Sequence, residues 1–280
     1  MPRIPSTDAH AEHAVAMYKQ LLANRNLDVD RAWEAIAQLL MTTEVWDRGE
    51  WHPFHNELVL MERNNYKLTK AGIPNQALKD ATMVGDHLAQ ALGIERATLG
   101  DHVGLFFREP DISPLQPNNL KGHAFRSVVC ATLERFGDPD LLLTEEDRIR
   151  DLFPGWDFGN RSDDARVDIT ARRGGRVVAL VSARWTYRHD RVDMIDEARA
   201  YLPAARNANR NAVFYGVTAE IGTARLHKVI NETAPVHPNA AIDHLVHLNP
   251  LLPGKLIGNN GPLGHLMSLA DFVRASFNWN

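Results

Sequence analysis

Residues 164–185 constrain the fold of this chain more than any other stretch, because they predict two strands joined by a tight turn. The sequence runs DARVDITARR (164–173), Gly174–Gly175 and then RVVALVSARW (176–185). Two glycines between β-branched runs are a β-hairpin signature. Further helices are predicted at 120–137, 190–208, 223–233 and 263–277, and further strands at 211–218 and 241–249. Strands alternating with helices predict an α/β (α+β) domain whose mixed sheet has helices on both faces.

The first part of the chain has a helical pattern instead. Apolar residues recur at three- and four-residue spacing over 8–25, 28–46 and 74–93, and the last stretch ends at Gly93, as helices often do. Residues 108–119 contain three prolines and no periodicity, which indicates a linker. We therefore expect an all-helical N-terminal domain over 1–112 and a mixed-sheet domain over 113–280.

The composition excludes several classes of protein. A net charge of −4 excludes a chain that coats nucleic acid through overall positive charge, so any anion-binding surface must be local. The single cysteine, Cys130, excludes a disulfide framework and a cysteine-rich zinc site. The opening MPRIPSTDAH lacks the pattern of a signal peptide, and no apolar run approaches the roughly 18 residues of a membrane span. We expect a cytoplasmic protein without a membrane partner.

Four polar residues around the hairpin are candidates for chemistry. Acids are disfavoured inside strands, so Asp168 in the first strand needs a partner. Ser182 and Arg184 lie two apart on the second strand and hence on one face, and Glu197 falls one to two turns into the next helix. Such a set suits a divalent metal held against a phosphodiester. The alternative is that a neighbouring arginine, such as Arg166, simply pairs with Asp168.

The register of the hairpin tests this grouping. With a regular two-residue turn at Gly174–Gly175, Asp168 pairs with Val181 and faces away from Ser182 and Arg184. A three-residue loop places Asp168 on the same face as those two residues. The proposed grouping therefore predicts an odd-numbered loop or a β-bulge.

The segment RHDR (188–191) carries residue types that recognise bases. Arginine donates two hydrogen bonds to guanine O6 and N7, and aspartate accepts from cytosine N4 in the major groove. Arg188, Asp190 and Arg191 projecting together would recognise neighbouring G·C pairs. The alternative is that Asp190 caps the following helix while the arginines are solvated, and Asp190 can serve both roles.

The run S182-A-R-W-T-Y-R-H-D-R191 resembles the CCGG-family type II restriction endonucleases of the PD-(D/E)XK nuclease superfamily. The resemblance covers the chain from about residue 120 onward, and the separate helical N-terminal part looks most like the BsaWI-like members. It implies a restriction-endonuclease-like mixed sheet flanked by helices. It also implies cleavage, with Mg²⁺, of double-stranded DNA at a short palindromic site with a CCGG-type core. Twofold symmetry of such a site implies a homodimer or a higher oligomer.

The resemblance also implies roles for individual residues. Asp168 matches the metal-binding aspartate, although valine rather than proline precedes it, and Glu197 matches a second metal-binding acid relocated to the following helix. Ser182 stands where the usual acid of the E-x-K motif has become serine. The residues that match the readers of the C·G pairs are Arg188, Asp190 and Arg191.

Two cationic residues depart from the family pattern. Arg184 stands at the position of the catalytic lysine, and in KGHAFR (121–126) Arg126 stands where an early helix often supplies a glutamate. Arginine can hold a phosphate, but it stays protonated and cannot take a proton from water. A catalytically weakened or inactive sequence-specific DNA-binding relative is therefore one alternative. Another is a small-molecule enzyme or protein-interaction module without a DNA role.

Overall fold

A computed structural model of the chain describes residues 6–41, 45–47, 50–52, 76–95, 117–185, 187, 193–220, 223–237, 239–255 and 261–280. Contacts divide the chain into two compact units, Met1–Ala124 with Leu251–Asn259, and Phe125–Pro250 with Asn260–Asn280. The expected domain boundary at 112 and 113 lies outside the described residues and stays a prediction. None of the described helices is both long and apolar enough to cross a membrane.

The first unit is mainly helical where it is described. Its helical elements are α1 (Ser6–Arg25), α2 (Ala32–Ile36), a π-helical turn (Ala37–Met41), α3 (Gln76–Leu92) and a second π-helical turn (Leu251–Lys255). α3 ends at Gly93, whose φ of +69° suits the left-handed position after a helix. The sequence did not predict a short antiparallel hairpin, β1 (Val45–Asp47) and β2 (Glu50–His52).

The second unit contains a six-stranded mixed sheet. Its strands, in both chain and spatial order, are β3 (Leu142–Arg148), β4 (Arg166–Arg173), β5 (Arg176–Arg184), β6 (Val213–Thr218), β7 (His244–His247) and β8 (Met267–Ser268). The first three strands are antiparallel to one another, and β5 to β8 are parallel. The predicted mixed sheet is confirmed.

Helices cover both faces of this sheet. They are α4 (Pro117–Phe136), α5 (Ile149–Leu152), α6 (Asp193–Ala208), α7 (Thr223–Ile230) and α8 (Leu269–Ala275), with 3₁₀ turns at Pro262–His265 and Ser276–Asn278. α6 lies so close to β6 that a Cβ at Gly216 would come within 2.2 Å of Met194 Sδ. On the other face, Tyr215 contacts the rings of Phe272 and Trp279. The predicted arrangement with helices on both faces is confirmed.

Two elements of this unit differ from the sequence prediction. Strand β3 was not predicted, because it is an acid-rich edge strand whose residues are mostly half-buried, so it lacks the alternation of a one-sided strand. The helix predicted at 263–277 starts only at Leu269. Ser268 caps it by accepting a hydrogen bond from the backbone N of Asp271 at 3.1 Å, and the residues before the cap form a 3₁₀ turn and β8.

Candidate functional site

A β-bulge in the β4–β5 hairpin sets the face on which Asp168 lies. The turn has two residues, Gly174 and Gly175, both with positive φ, as a type I′ turn requires. The paired residues are Arg173 with Arg176, Arg172 with Val177, Ala171 with Ala179, and Ile169 with Val181. Val178 is therefore the extra residue, and continuing the register places Asp168 opposite Ser182. The predicted odd loop or bulge is confirmed as a bulge.

Asp168 is held by groups on the neighbouring strand. Its Oδ2 accepts hydrogen bonds from the backbone N of Ala183 at 2.8 Å, from Arg184 Nη1 at 2.6 Å and from Ser182 Oγ at 3.3 Å. Arg166, the alternative partner, instead donates to the backbone O of Glu146 at 3.0 Å. The partner that balances the charge of Asp168 is therefore Arg184.

Glu197 joins the same group of side chains from α6. Ser182 Oγ lies 2.6 Å from Glu197 Oε2, and Arg184 Nη2 donates to Glu197 Oε1. The hydroxyl has one proton to donate, so its shorter contact favours Glu197 over Asp168. We call Asp168, Ser182, Arg184 and Glu197 the acid–arginine cluster. The structure brings together all four residues that the sequence singled out around the hairpin.

Arg184 is the cation that links the two acids. Its guanidinium makes an ion pair with each carboxylate, and its side chain is 32% exposed, whereas those of Asp168 and Glu197 are each 12% exposed. The planar fork of donors in arginine allows one side chain to satisfy two carboxylates at once. With all three groups ionised, the cluster carries one net negative charge.

Burial shapes the proton affinities in the cluster. Burial alone would lower the pKa of Arg184, but the charges of Asp168 and Glu197 and the hydrogen bonds to them raise it above its ordinary value. Burial raises the pKa of the Glu197 carboxyl, and Arg184 and the Ser182 hydroxyl offset only part of that rise. Arg184 therefore stays protonated, and burial makes the charge of Glu197 costly to maintain.

Any metal bound here would have few protein ligands. Within the described residues, no group of three or more His, Cys, Asp and Glu side chains is placed to hold a metal. The acid–arginine cluster offers two carboxylates and one hydroxyl. All three hydrogen bonds to Asp168 go to Oδ2, so Oδ1 lies outside that network. Mg²⁺ commonly binds one or two carboxylates and completes its shell with water and phosphate oxygens, so these donors fit that ion.

Arg126 lies on α4 and pairs with acids on the edge strand. It is 6% exposed, donates from Nε to Glu145 Oε2 at 2.9 Å, and also donates to Glu146. The neighbouring Ser127 Oγ donates to Glu145 Oε2 at 2.6 Å. Where the family resemblance implies an acid on the helix, this chain therefore has a buried arginine whose charge is balanced from β3. The sequence did not indicate that acids on β3 pair with Arg126, because β3 itself was not predicted.

The predicted base-contacting residues, Arg188, Asp190 and Arg191, lie outside the described residues. The residue just before them, Tyr187, is buried, and its backbone N donates to Glu220 Oε2 at 3.1 Å. Glu220 is fully buried and also accepts two hydrogen bonds from Arg225, each 2.6 Å long. The Glu220–Arg225 ion pair therefore holds the backbone of Tyr187, and no sequence pattern indicated it.

A second pair near the acid–arginine cluster was also missed. Tyr201 lies on α6 four residues after Glu197 and therefore on the same side of the helix. The guanidinium carbon of Arg161 lies 5.6 Å from the centre of the Tyr201 ring. The four-residue spacing from Glu197 was a usable signal for Tyr201. Nothing in the sequence of the loop that carries Arg161 indicated its position.

Comparisons with known proteins return one solved structure. No protein-family model matches the chain, and no curated protein sequence does. The chain aligns with a complex of restriction endonuclease PspGI with substrate DNA, with a TM-score of 0.44 and 12% sequence identity. The alignment covers 99% of this chain and 93% of that chain.

Proposed function

We propose that this chain is a type II restriction endonuclease-like protein that hydrolyses phosphodiester bonds of double-stranded DNA with Mg²⁺. One observation carries the proposal: β4, β5 and α6 bring two carboxylates, a hydroxyl and an arginine into one hydrogen-bonded group. Carboxylates that can bind a metal, placed beside a cation that can bind phosphate, are suited to metal-assisted hydrolysis of a phosphodiester.

Asp168 and Glu197 would hold the ion. When bound, Mg²⁺ supplies Lewis-acid stabilisation of the charge that develops on the phosphate. Ser182 positions Glu197 through its 2.6 Å hydrogen bond, and the backbone N of Ala183 positions Asp168 at 2.8 Å. These contacts come from one strand, so both carboxylates are oriented before DNA binds.

Arg184 would contact the scissile phosphate. Its guanidinium carries a fixed positive charge and donates hydrogen bonds, but it accepts no proton. Its exposed fraction of 32% leaves part of the side chain accessible to DNA. In this proposal Arg184 stabilises negative charge on the phosphate, and it does not deprotonate the nucleophile.

Recognition of DNA would fall to the segment after β5. Arg188, Asp190 and Arg191 would contact the C·G pairs of a palindromic site with a CCGG-type core, and a homodimer or higher oligomer would supply two identical sets of contacts. The support for this part is the sequence S182-A-R-W-T-Y-R-H-D-R191 alone.

A second function is favoured by the ion pairs of Arg184. Both acids that would bind Mg²⁺ already have their charge balanced by this guanidinium. An ion must therefore compete with a cation that is covalently part of the site. If Arg184 keeps Mg²⁺ from binding to these carboxylates, the protein would bind DNA without cutting it.

The experiment that separates these functions combines cleavage with binding. The purified protein is incubated with a plasmid carrying CCGG-containing palindromes, either with Mg²⁺ or with a chelator, and its binding to short duplexes is measured by gel retardation. Discrete fragments that require Mg²⁺ support the nuclease, whereas specific retardation without cutting supports the non-cleaving relative. If the wild-type protein shows no specific retardation, or if Arg188→Ala and Arg191→Ala retard the duplexes as the wild type does, both functions are contradicted.

A further inference from the structure

Arg161 is a cation close to the acid–arginine cluster. It makes no ion pair within the described residues, although the loop that carries it is acidic. The two aspartates nearest to it in sequence are paired elsewhere: Asp163 with Arg150 at 2.8 Å, and Asp164 with Arg148 at 3.3 Å. The charge of Arg161 is therefore available to an anion from outside the chain.

Tyr201 places this charge next to the cluster. The Arg161 guanidinium carbon lies 5.6 Å from the ring centre, within the range of a cation–π contact. Glu197 is one helical turn away on α6, a spacing that puts Cβ atoms about 6 Å apart. Burial raises the pKa of the Tyr201 hydroxyl, the charge of Glu197 raises it further, and that of Arg161 lowers it. One hydroxyl thus lies within electrostatic reach of both charged groups.

The position of the Tyr201 ring is itself fixed. Tyr201 is 3% exposed, and its ring packs edge-on against Phe158, with 6.2 Å between ring centres. The backbone N of Arg161 donates to the backbone O of Phe158 at 3.4 Å. Phe158 therefore contacts both partners, and the guanidinium lies over a ring that is buried and packed against a neighbour. Such preorganisation lowers the entropic cost of binding an anion.

The charge of the cluster favours an additional cation nearby when DNA binds. With both carboxylates ionised and no metal ion bound, the acid–arginine cluster has one net negative charge, which opposes the approach of a phosphate. Arg161, whose guanidinium carbon lies 5.6 Å from the centre of the Tyr201 ring, adds a positive charge that offsets it. It is partly buried, so its charge is screened less by salt than that of a fully exposed side chain.

We propose that Arg161 binds a backbone phosphate of DNA adjacent to the phosphate at the acid–arginine cluster, and that Tyr201 orients its guanidinium. The inference rests on the proposed DNA-binding function and adds a phosphate-contacting residue to it. Because a phosphate contact carries no base information, Arg161 contributes equally to binding of every DNA sequence.

The test measures the salt dependence of DNA binding. Dissociation constants are determined without Mg²⁺ over a range of KCl concentrations, for a duplex with a CCGG-centred palindrome and for a scrambled duplex of equal length. The variants are Arg161→Ala, Arg161→Lys, Tyr201→Phe and Tyr201→Leu. Arg199→Ala is the matched control, because Arg199 lies on α6, is 57% exposed and is paired with Glu232 at 2.8 Å. Thermal unfolding confirms that each variant is folded.

Loss of one phosphate contact reduces the magnitude of the negative slope of log association constant against log salt concentration by about 0.9. We expect that decrease in Arg161→Ala, with the same loss of affinity on both duplexes. Arg161→Lys, Tyr201→Phe and Arg199→Ala should keep the wild-type slope, and Tyr201→Leu should bind more weakly with that slope unchanged. A wild-type slope in folded Arg161→Ala would overturn the inference. If the wild-type protein binds neither duplex, the proposed DNA-binding function is wrong. That result differs from a wild-type slope in Arg161→Ala, which would contradict the role of Arg161 alone.

Discussion

Arg184 Nη1 lies 2.6 Å from Asp168 Oδ2, so the guanidinium of Arg184 contacts the Asp168 carboxylate directly. The same guanidinium reaches Glu197, and the two acids are thus held together by a cation that belongs to the chain. A buried pair of this kind contributes little net stability compared with well-packed apolar residues, because desolvation offsets the attraction. Stability alone therefore does not account for two acids placed around one arginine, whereas the proposed role in binding and catalysis does.

Replacing Arg184 by lysine should ease the binding of Mg²⁺. Lysine offers a single ammonium in place of a fork of donors, so it leaves one of the two carboxylates less engaged. We expect Arg184→Lys to reach half-maximal cleavage at a lower Mg²⁺ concentration than the wild type. Cleavage rates over a Mg²⁺ titration give this value, and an equal or higher half-maximal concentration would contradict the competition between arginine and ion.

The Arg184–Asp168 ion pair should be energetically coupled. Asp168 is largely buried and Arg184 is partly buried, so a double-mutant cycle with Arg184→Ala and Asp168→Ala should give a coupling energy of about 1–3 kcal/mol. The exposed Arg199–Glu232 pair, 2.8 Å long, should give about 0–1 kcal/mol in the same experiment. Urea unfolding of the single and double variants measures both values. Equal coupling in the two pairs would show that burial does not strengthen the interaction at the cluster.

The extra residue of the bulge, Val178, should be removable without loss of the site. Deleting Val178 lets the pairs Arg172–Val177 and Ala171–Ala179 follow one another directly, so Asp168 stays opposite Ser182 and keeps its face. We expect the deletion to cost about 1–3 kcal/mol in the free energy of unfolding, because a buried valine is lost, and to retain Mg²⁺-dependent cleavage. Inserting one glycine after Val181 instead places Ser182 on the face opposite to Asp168 and should abolish cleavage. Urea unfolding and cleavage rates measure both effects, and loss of cleavage in the folded deletion variant would contradict this register.

His247 should make the fold less stable in mild acid. It is fully buried, its Nδ1 accepts from the backbone N of Asn249 at 3.0 Å, and its Nε2 lies 2.8 Å from the backbone O of Glu220. Burial lowers its pKa from 6.5 to about 4. Between these values the unfolded chain binds more protons than the folded chain, so the free energy of unfolding rises with pH and levels off above about 6.5.

The expected rise attributable to His247 is about 3 kcal/mol, at about 1.4 kcal/mol per pKa unit. Urea unfolding between pH 4 and pH 8, compared for wild type and His247→Gln, isolates this contribution from those of other groups. The difference between the two proteins should grow over that window as pH increases. A difference independent of pH would mean that the imidazole titrates alike in the folded and unfolded chains.

The hairpin and the grouping of polar side chains beside it were predictable because several local signals agreed. The glycine pair, the β-branched flanks and the isolated acid at Asp168 each indicated the same arrangement. The need to place Asp168 on the same face as Ser182 predicted an odd-numbered loop or a bulge. Ser182, Arg184 and Glu197 followed from strand and helix periodicity. The boundaries of the last helix were less predictable, since a cap at Ser268 decided where it starts.

Other parts of the site depend on contacts that no local pattern records. Arg126 is balanced by Glu145 across 19 residues of sequence, and Glu220 holds the backbone of Tyr187 across 33. Arg161 lies in an irregular loop, where side-chain direction follows no period. Tertiary packing alone brings these residues to their partners, so sequence spacing offered no basis for predicting them.

The most direct test of the central claim is the single-turnover rate of Mg²⁺-dependent cleavage in Asp168→Asn. Asparagine preserves the shape of Asp168 but removes the charge that would bind the ion and that balances Arg184. We predict that the variant still retards a CCGG-centred duplex and that its cleavage rate falls at least about a hundredfold, while Arg199→Ala cleaves as the wild type does. Wild-type cleavage by Asp168→Asn, or specific binding by the wild-type protein with no cleavage at any Mg²⁺ concentration, would contradict the claim that the acid–arginine cluster is a nuclease centre.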